Sequence, residues 1–466
     1  MKYRAATDAA GKLLGVVMDI YGDLGSSSNE IYRFQGILQW CDNVYFAPNW
    51  KINIHACKTN TPANTACRAP ASTEGIYFIE HLLEHMSQVL KKPSLELRQL
   101  NFYINGDRMM GGATVKDFTL PALTDQLLQS SDYKSRSEAV ATFNTANRWR
   151  KRGISVVPIR YAAHWNIPTR IFHCLVAIFH GDGTVAVTHG GIEMGQGINT
   201  KIAQVVASEL GVDMKYIDIQ PTQAITTANG GITGGSVTSE LVSLAAIDAC
   251  RQLRTRIDVV RRIDPTKTWP QLIEDCFKKG VDLSARSGIN AKTPDHVAYN
   301  VYTAMCTEIE LDILTGEFII NRLDILYDCG ESMSPLIDVG QVEGAVEMGL
   351  GYYTSEEQIY DPKTGENLSY GTWKYKPPMA KDIPVDFRVT LLQNAPNPSG
   401  VLRSKLVGEP PLCGAASVVF ALRNAIAANL NETGKGADWF TLVAPMTVER
   451  IQQYNRIEIS QLRYKD

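Results

Sequence analysis

The chain has 466 residues, 44% of them hydrophobic and 20% charged, and its 46 basic and 49 acidic side chains leave a net charge of −3. That length leaves room for roughly two to four domains, and without a basic run the near-neutral charge gives no footing for nucleic acid or an anionic membrane surface. No apolar stretch is read as reaching the roughly 20 residues that cross a bilayer, the first residues lack a signal-peptide core, and a cytoplasmic protein is expected. The nine cysteines are scattered with no Cys-x-x-Cys spacing. Iron–sulfur clusters and structural zinc sites need grouped thiolates, so neither is expected on this chain.

Residues 3–22 read as a β-hairpin turning at Asp8-Ala-Ala-Gly11. A hairpin edge so close to the start implies upstream sequence of the same domain, and the chain is read as N-terminally incomplete. A polar loop over 58–70, containing Arg68, precedes a helix over 75–90. By default Arg68 is a surface cation. In the helix, His81-Leu-Leu-Glu84-His85 fits the His-x-x-Glu-His pattern of zinc peptidases, but a distant third ligand would be required, so an amphipathic helix is the preferred reading. Helices are expected over 122–131 and 133–152, the second charged and solvated, with a domain boundary at residue 153. Residues 1–153 then form the first domain and 154–466 the second. Trp165 lies just past that boundary, as a core tryptophan or an aromatic facing a ligand.

Next, Val185 and Val187 alternate into His189-Gly-Gly-Ile-Glu-Met-Gly195-Gln196-Gly197, and Ile202, Val205, Val206 and Leu210 follow on one helical face up to Gly211. Strand, glycine loop and helix in that order suit a backbone that approaches an anionic ligand closely. A second loop, Asn229-Gly-Gly-Ile-Thr233-Gly234-Gly235-Ser236-Val237-Thr238, opens a helix over 241–257. The two loops could grip one polar ligand from two sides. Residues 251–279 read as helical and 282–297 as polar without period. A hairpin with one wet face is expected from 307–313 and 318–327. A glycine-rich helix over 335–351 carries Gln341, whose amide can donate and accept. A second hairpin turns at 361–365, and 387–393 alternates as a strand. In Val407-Gly408-Glu409-Pro410-Pro411-Leu412 the two prolines stiffen the mount of Glu409, ahead of a helix marked by Val418, Leu422, Ala425 and Ile426. Glu409 is either a dipole-favoured residue at a helix start or a general base, and a base calls for an apolar pocket that lifts its pKa. The tail, 431–466, reads as helical and polar.

Met194-Gly-Gln-Gly197, Gly234-Gly-Ser236, Asp338-Val-Gly-Gln341-Val-Glu-Gly344 and Gly408-Glu-Pro-Pro411 together resemble the molybdenum-cofactor motifs of the xanthine dehydrogenase and aldehyde oxidase family, in the same order and over nearly the whole chain. The resemblance implies an α+β fold of mixed sheets with flanking helices, the molybdopterin-binding region of a molybdenum hydroxylase. It implies hydroxylation of aldehydes or activated heterocycle carbons with water-derived oxygen, with Glu409 as the base. Gly195, Gln196, Gly197, Thr233, Gly234, Ser236, Val237, Thr238 and Gln341 would hold the pterin and its phosphate. Arg68 and the peptide of Gly235 would stand nearest the metal, and Trp165 would face the substrate. Iron–sulfur clusters and FAD would belong to upstream domains, and the full-length protein would be a homodimer. Xanthine-type members continue after the arginine with Gly-Phe, where this chain has Ala69-Pro70; it also has Gly36 where purine-oxidising members carry an arginine. Both departures favour an aldehyde over xanthine. A fragment that binds the cofactor without turnover of its own is the alternative.

Overall fold

Alternating apolar residues open the chain as a hairpin, β1 (Lys2–Thr7) against β2 (Leu13–Gly25), and the Asp8 carboxylate closes the turn on the N–H groups of Gly11 and Lys12, each at 2.9 Å. The structure is a computed structural model describing residues 1–29, 31–163, 171–290, 298–436 and 439–462. The chain continues through α1 (Ile31–Ile37), β3 (Trp50–Lys58), α2 (Ser72–Leu90), α3 (Ser94–Leu100), α4 (Leu120–Ser130) and α5 (Tyr133–Ala146). Then follow β4 (Arg150–Ala163), β5 (Ile171–Ile178), β6 (Val185–His189), α6 (Ile198–Leu210), β7 (Ile217–Ile219), α7 (Thr238–Arg261), α8 (Trp269–Lys278) and β8 (Ser284–Asn290). The last part comprises β9 (Tyr299–Asp312), β10 (Phe318–Tyr327), α9 (Pro335–Thr354), β11 (Asp386–Leu391), α10 (Pro410–Gly414), α11 (Ala416–Glu432) and α12 (Val448–Tyr454).

These strands form three mixed sheets, ordered β1-β2-β3, β11-β10-β9-β4 and β7-β6-β5-β8, each with one parallel pair. The fold is α+β, with helices flanking the sheets, as the motif resemblance implies. The expected solvated helix over 133–152 stops at Ala146, and Arg150, Lys151 and Arg152 begin β4 instead. Tertiary pairing overrides their local preference. Arg150 and Arg152 bond Glu310 on β9 at 2.9 Å, while Lys151 donates to the carbonyls of Asn144 and Asn147 at the end of α5.

The hairpin of β9 and β10 has its expected wet face only toward the turn, where Ile319 is exposed; the rest is covered. Thr307 meets Ser417 of α11 at 2.7 Å on one side, and on the other Glu308 and Asp324 bond Arg136 of α5, each at 2.8 Å. Arginines neutralise the polar face, and helices then cover it. Residues 410–432 also correct the sequence reading: this run is long and apolar enough to cross a bilayer, but 83% of its apolar window is buried as the core helix against β4 and β9. The turn at 361–365 closes only a bridge between Tyr360 and Asn367. In the tail, α12 is the one α-helix among the described residues after Glu432, with Phe440, Leu442, Met446 and Ile451 buried around it.

Two contacts position the loops described next. Gly349 lets α9 meet α10 closely, since a Cβ there would fall 2.5 Å from Ala415 Cβ and 2.6 Å from the Leu412 carbonyl oxygen. Below α2, the fully buried Arg98 bonds Glu80 at 2.7 Å and Glu84 at 2.8 Å. Glu84 is thereby committed to an ion pair, and His81 and His85 pack on Trp439. No group of three His, Cys, Asp or Glu able to hold a metal lies among the described residues, so the zinc-peptidase reading finds no third ligand.

Candidate functional site

Glu409 stands at the N-terminal end of α10 and is 6% exposed. Its Oε1 accepts from the Ala69 N–H at 3.0 Å; its Oε2 accepts from the Tyr161 hydroxyl at 2.8 Å and from Ser236 Oγ at 3.1 Å. The carboxylate is buried, but its surroundings are not purely apolar: three donors from three separate segments converge on it. Burial, and then the charge of Glu409, push the Tyr161 phenol well above its ordinary pKa, so it stays a donor. Gly408 brings the bend against the second glycine loop, for a Cβ there would come within 2.7 Å of Ser236 Oγ.

Arg68 reaches across to α9, where its Nη2 donates to Gln341 Oε1 at 2.8 Å. Burial draws the guanidinium below the ordinary arginine value, and the nearby Glu409 charge opposes that shift. It is not the free surface cation of the default reading. Around this arginine the backbone is strained: Ala69 and Ala71 hold φ of 56° and 68°.

The two glycine loops face each other and are tied together by the Ile192 N–H donating to Thr233 Oγ1 at 3.0 Å. In the first loop Glu193 does something the glycine pattern did not suggest. Its carboxylate accepts from the N–H groups of Gly195 and Gly197 at 3.0 Å and of Asn199 at 3.1 Å. Burial pushes this carboxyl up, but the three donors outweigh it and hold it below the ordinary range. Glu193 thus takes three of the N–H groups leading into α6, those of Gly195, Gly197 and Asn199. Gln196 also folds into its own loop, donating to the Ile192 carbonyl at 2.7 Å. In the second loop Gly235 and Ser236 adopt left-handed φ of 70° and 58°, and Thr238 Oγ1 accepts from the Gly234 N–H at 3.1 Å.

Both loops, Arg68, Gln341 and Glu409 line one cleft of about 600 Å³. Gly195, Gln196, Thr233, Gly234, Gly235, Ser236 and Thr238 are on its wall, whereas Gly197 packs on Ile337 and Val237 is buried behind the wall. Trp165 lies outside the described residues. Two residues of the site were not singled out in the sequence. Tyr161 reaches it only through Glu409, from a run, 154–163, to which the sequence reading assigned no element. Glu240, in the first turn of α7, lines the cleft, with Oε2 accepting from the Tyr299 hydroxyl at 2.8 Å. Burial pushes its carboxyl up to about 7. A carboxylate directly after a glycine–hydroxyl loop was the available signal for Glu240; nothing marked Tyr161.

Comparison with known proteins agrees with this geometry. Residues 1–102 and 126–384 each match a molybdopterin cofactor-binding domain. The chain is 36% identical over 466 residues to a xanthine dehydrogenase of Dictyostelium discoideum, covering 97% of this chain and 34% of that protein. It is 34% identical to the xanthine dehydrogenase/oxidase of Rattus norvegicus, over 97% of this chain and 35% of that one. The chain thus spans about a third of the length of the curated relatives it matches. Among solved structures, quinoline 2-oxidoreductase from Pseudomonas putida 86 superposes with a TM-score of 0.87 at 20% identity, covering 97% of this chain and 61% of that one. The aldehyde oxidoreductase from Desulfovibrio gigas gives 0.83 at 21% identity, over 98% and 49%.

Proposed function

This chain belongs to the molybdopterin cofactor-binding family that includes the xanthine dehydrogenases and aldehyde oxidoreductases, and from that premise we propose that it forms the hydroxylating centre of a molybdenum-dependent oxidoreductase. The cleft suits the cofactor. Its volume lies within the ordinary range for ligand sites. A Cβ built on Gly195 or Gly234 meets nothing within 4 Å, so the space above both loops is open to a flat ring. Amide and hydroxyl groups of Gln196, Gln341, Thr233 and Ser236 surround it, a donor and acceptor set that matches a pterin and a phosphate. With three of the N–H groups leading into α6 taken by Glu193, the phosphate is assigned to the loop that opens α7.

When bound, the molybdenum centre supplies the two-electron oxidant and the water-derived oxygen. The chain's own groups do the rest. Glu409 would take up the proton released when the substrate carbon is hydroxylated. Arg68, held by Gln341, would steady negative charge developing next to it, and with the Gly235 peptide it would stand nearest the metal. Iron–sulfur and flavin groups to accept the electrons would be carried outside this chain. The observation that carries this reading is the three-donor grip on Glu409 within the same cleft as both glycine loops.

An aldehyde is the substrate class the reading favours. Gly36 lies against Ala71, where a Cβ would already come within 3.2 Å of the alanine Cβ, and no arginine reaches from that position. A purine is the second reading, favoured by the names of the relatives. In the holoenzyme, Glu409→Gln is expected to abolish aldehyde turnover, by at least about a hundredfold, with the molybdenum content unchanged. Retained turnover would remove Glu409 from the mechanism, and faster oxidation of xanthine than of benzaldehyde by the unmodified enzyme would favour the purine.

A further inference from the structure

The carboxylate of Glu409 is not held symmetrically. Among the described residues, Oε2 accepts two hydroxyl donors, Tyr161 at 2.8 Å and Ser236 at 3.1 Å, and Oε1 accepts only the Ala69 N–H at 3.0 Å. A carboxylate oxygen offers about two lone-pair positions, so Oε2 is full and Oε1 retains one. We propose that Tyr161 is a positioning residue for Glu409: with Ser236 it fills Oε2 and fixes the carboxylate plane, leaving Oε1 as the atom that takes the proton. This rests on the reading of Glu409 as the base.

The tyrosine itself is built to stay still. Its ring packs on Trp40, with centroids 4.6 Å apart and planes at 34°. The preceding residue ties the strand down, since Arg160 bonds Asp42 at 2.6 Å and its N–H donates to Asn43 Oδ1 at 2.9 Å. The reaction proton moves from the attacking oxygen to Oε1, while Tyr161 and Ser236 keep their own. Tyr161 is therefore an anchor and not a relay. Without Tyr161 the carboxylate keeps one donor on each oxygen, Ser236 and the Ala69 N–H, but loses its shortest contact, and angular misplacement of a reacting group costs rate more than affinity.

The test is Tyr161→Phe in the holoenzyme, which removes one oxygen and keeps the ring. Turnover is expected to fall about ten- to a hundredfold with KM within about twofold, and the molybdenum content should not change. In a Glu409→Gln background the same substitution should add nothing, because the two act as one unit. A readout independent of activity is the infrared band of the Glu409 carboxylate in cofactor-free protein, assigned as the band that Glu409→Gln abolishes. It should shift in Tyr161→Phe, which loses a donor, and shift the opposite way with 3-fluorotyrosine at position 161, a stronger donor that leaves the packing intact. The fluorinated protein keeps the test decisive even if the phenylalanine variant folds poorly. A band unmoved by either change, or a loss expressed only in KM, would overturn the proposal. Full turnover in Glu409→Gln would instead overturn the reading of Glu409 as the base.

Discussion

Glu240 shows how one residue's surroundings set its chemistry. Its carboxyl faces the cleft from the first turn of α7 and, through burial, is pushed from the ordinary value of 4.5 up to about 7. In the unfolded chain it ionises near 4.5. Between these values the folded state therefore holds the extra proton, and stability must fall as pH rises through the window. A rise of this size corresponds to about 3 kcal/mol at most. Glu240→Gln keeps an acceptor for the Tyr299 hydroxyl and removes the titration. Thermal melts from pH 5 to 8 should show the unmodified protein losing more stability than the variant, and parallel curves would contradict the assignment. Glu193 and Glu409 look alike in the sequence, each beside glycines ahead of a helix, yet one caps its own loop and the other receives donors from three segments. Composition and spacing mark such a residue; its partners, many residues away in the chain, decide its role.

At the level of elements, the contact of α9 with α10 couples Gln341 to Glu409, and Gly349 makes the contact possible. Gly349→Ala would force backbone apart at Leu412, three residues from the base. Such overpacking typically costs about 1–3 kcal/mol, and turnover should fall along with stability. Denaturant unfolding and kcat measured on the same variant check both effects, and a variant with unchanged stability would show that the helices are not tightly opposed. Helices α2, α6 and α7 were legible because one face of each meets the core, whereas α9 has no such stripe and was read from its glycines. Strands β3, β5 and β8 were not. In β8 the residues Ser-Ala-Arg-Ser-Gly-Ile-Asn carry no alternation, and pairing along β5 alone defines the strand. The charged start of β4 was taken for helix because its partners on β9 lie over 150 residues away.

Over the whole molecule, the sequence disclosed the four cofactor motifs and their order, and it gave their convergence as an expectation, without the contacts that bring it about. Arg68 lies 273 residues from Gln341, and Ala69 lies 340 from Glu409, and only the three mixed sheets bring these pairs within hydrogen-bonding distance. The cleft is thus a property of the fold and not of any one loop. A structure of the holoenzyme isolated with its molybdenum cofactor tests this most directly. The account requires the pterin between the loops at 193–197 and 233–238, beside Gln341, with the metal next to Arg68 and the Glu409 carboxylate. A cofactor bound elsewhere, or a Glu409 carboxylate turned away from the metal, would contradict it.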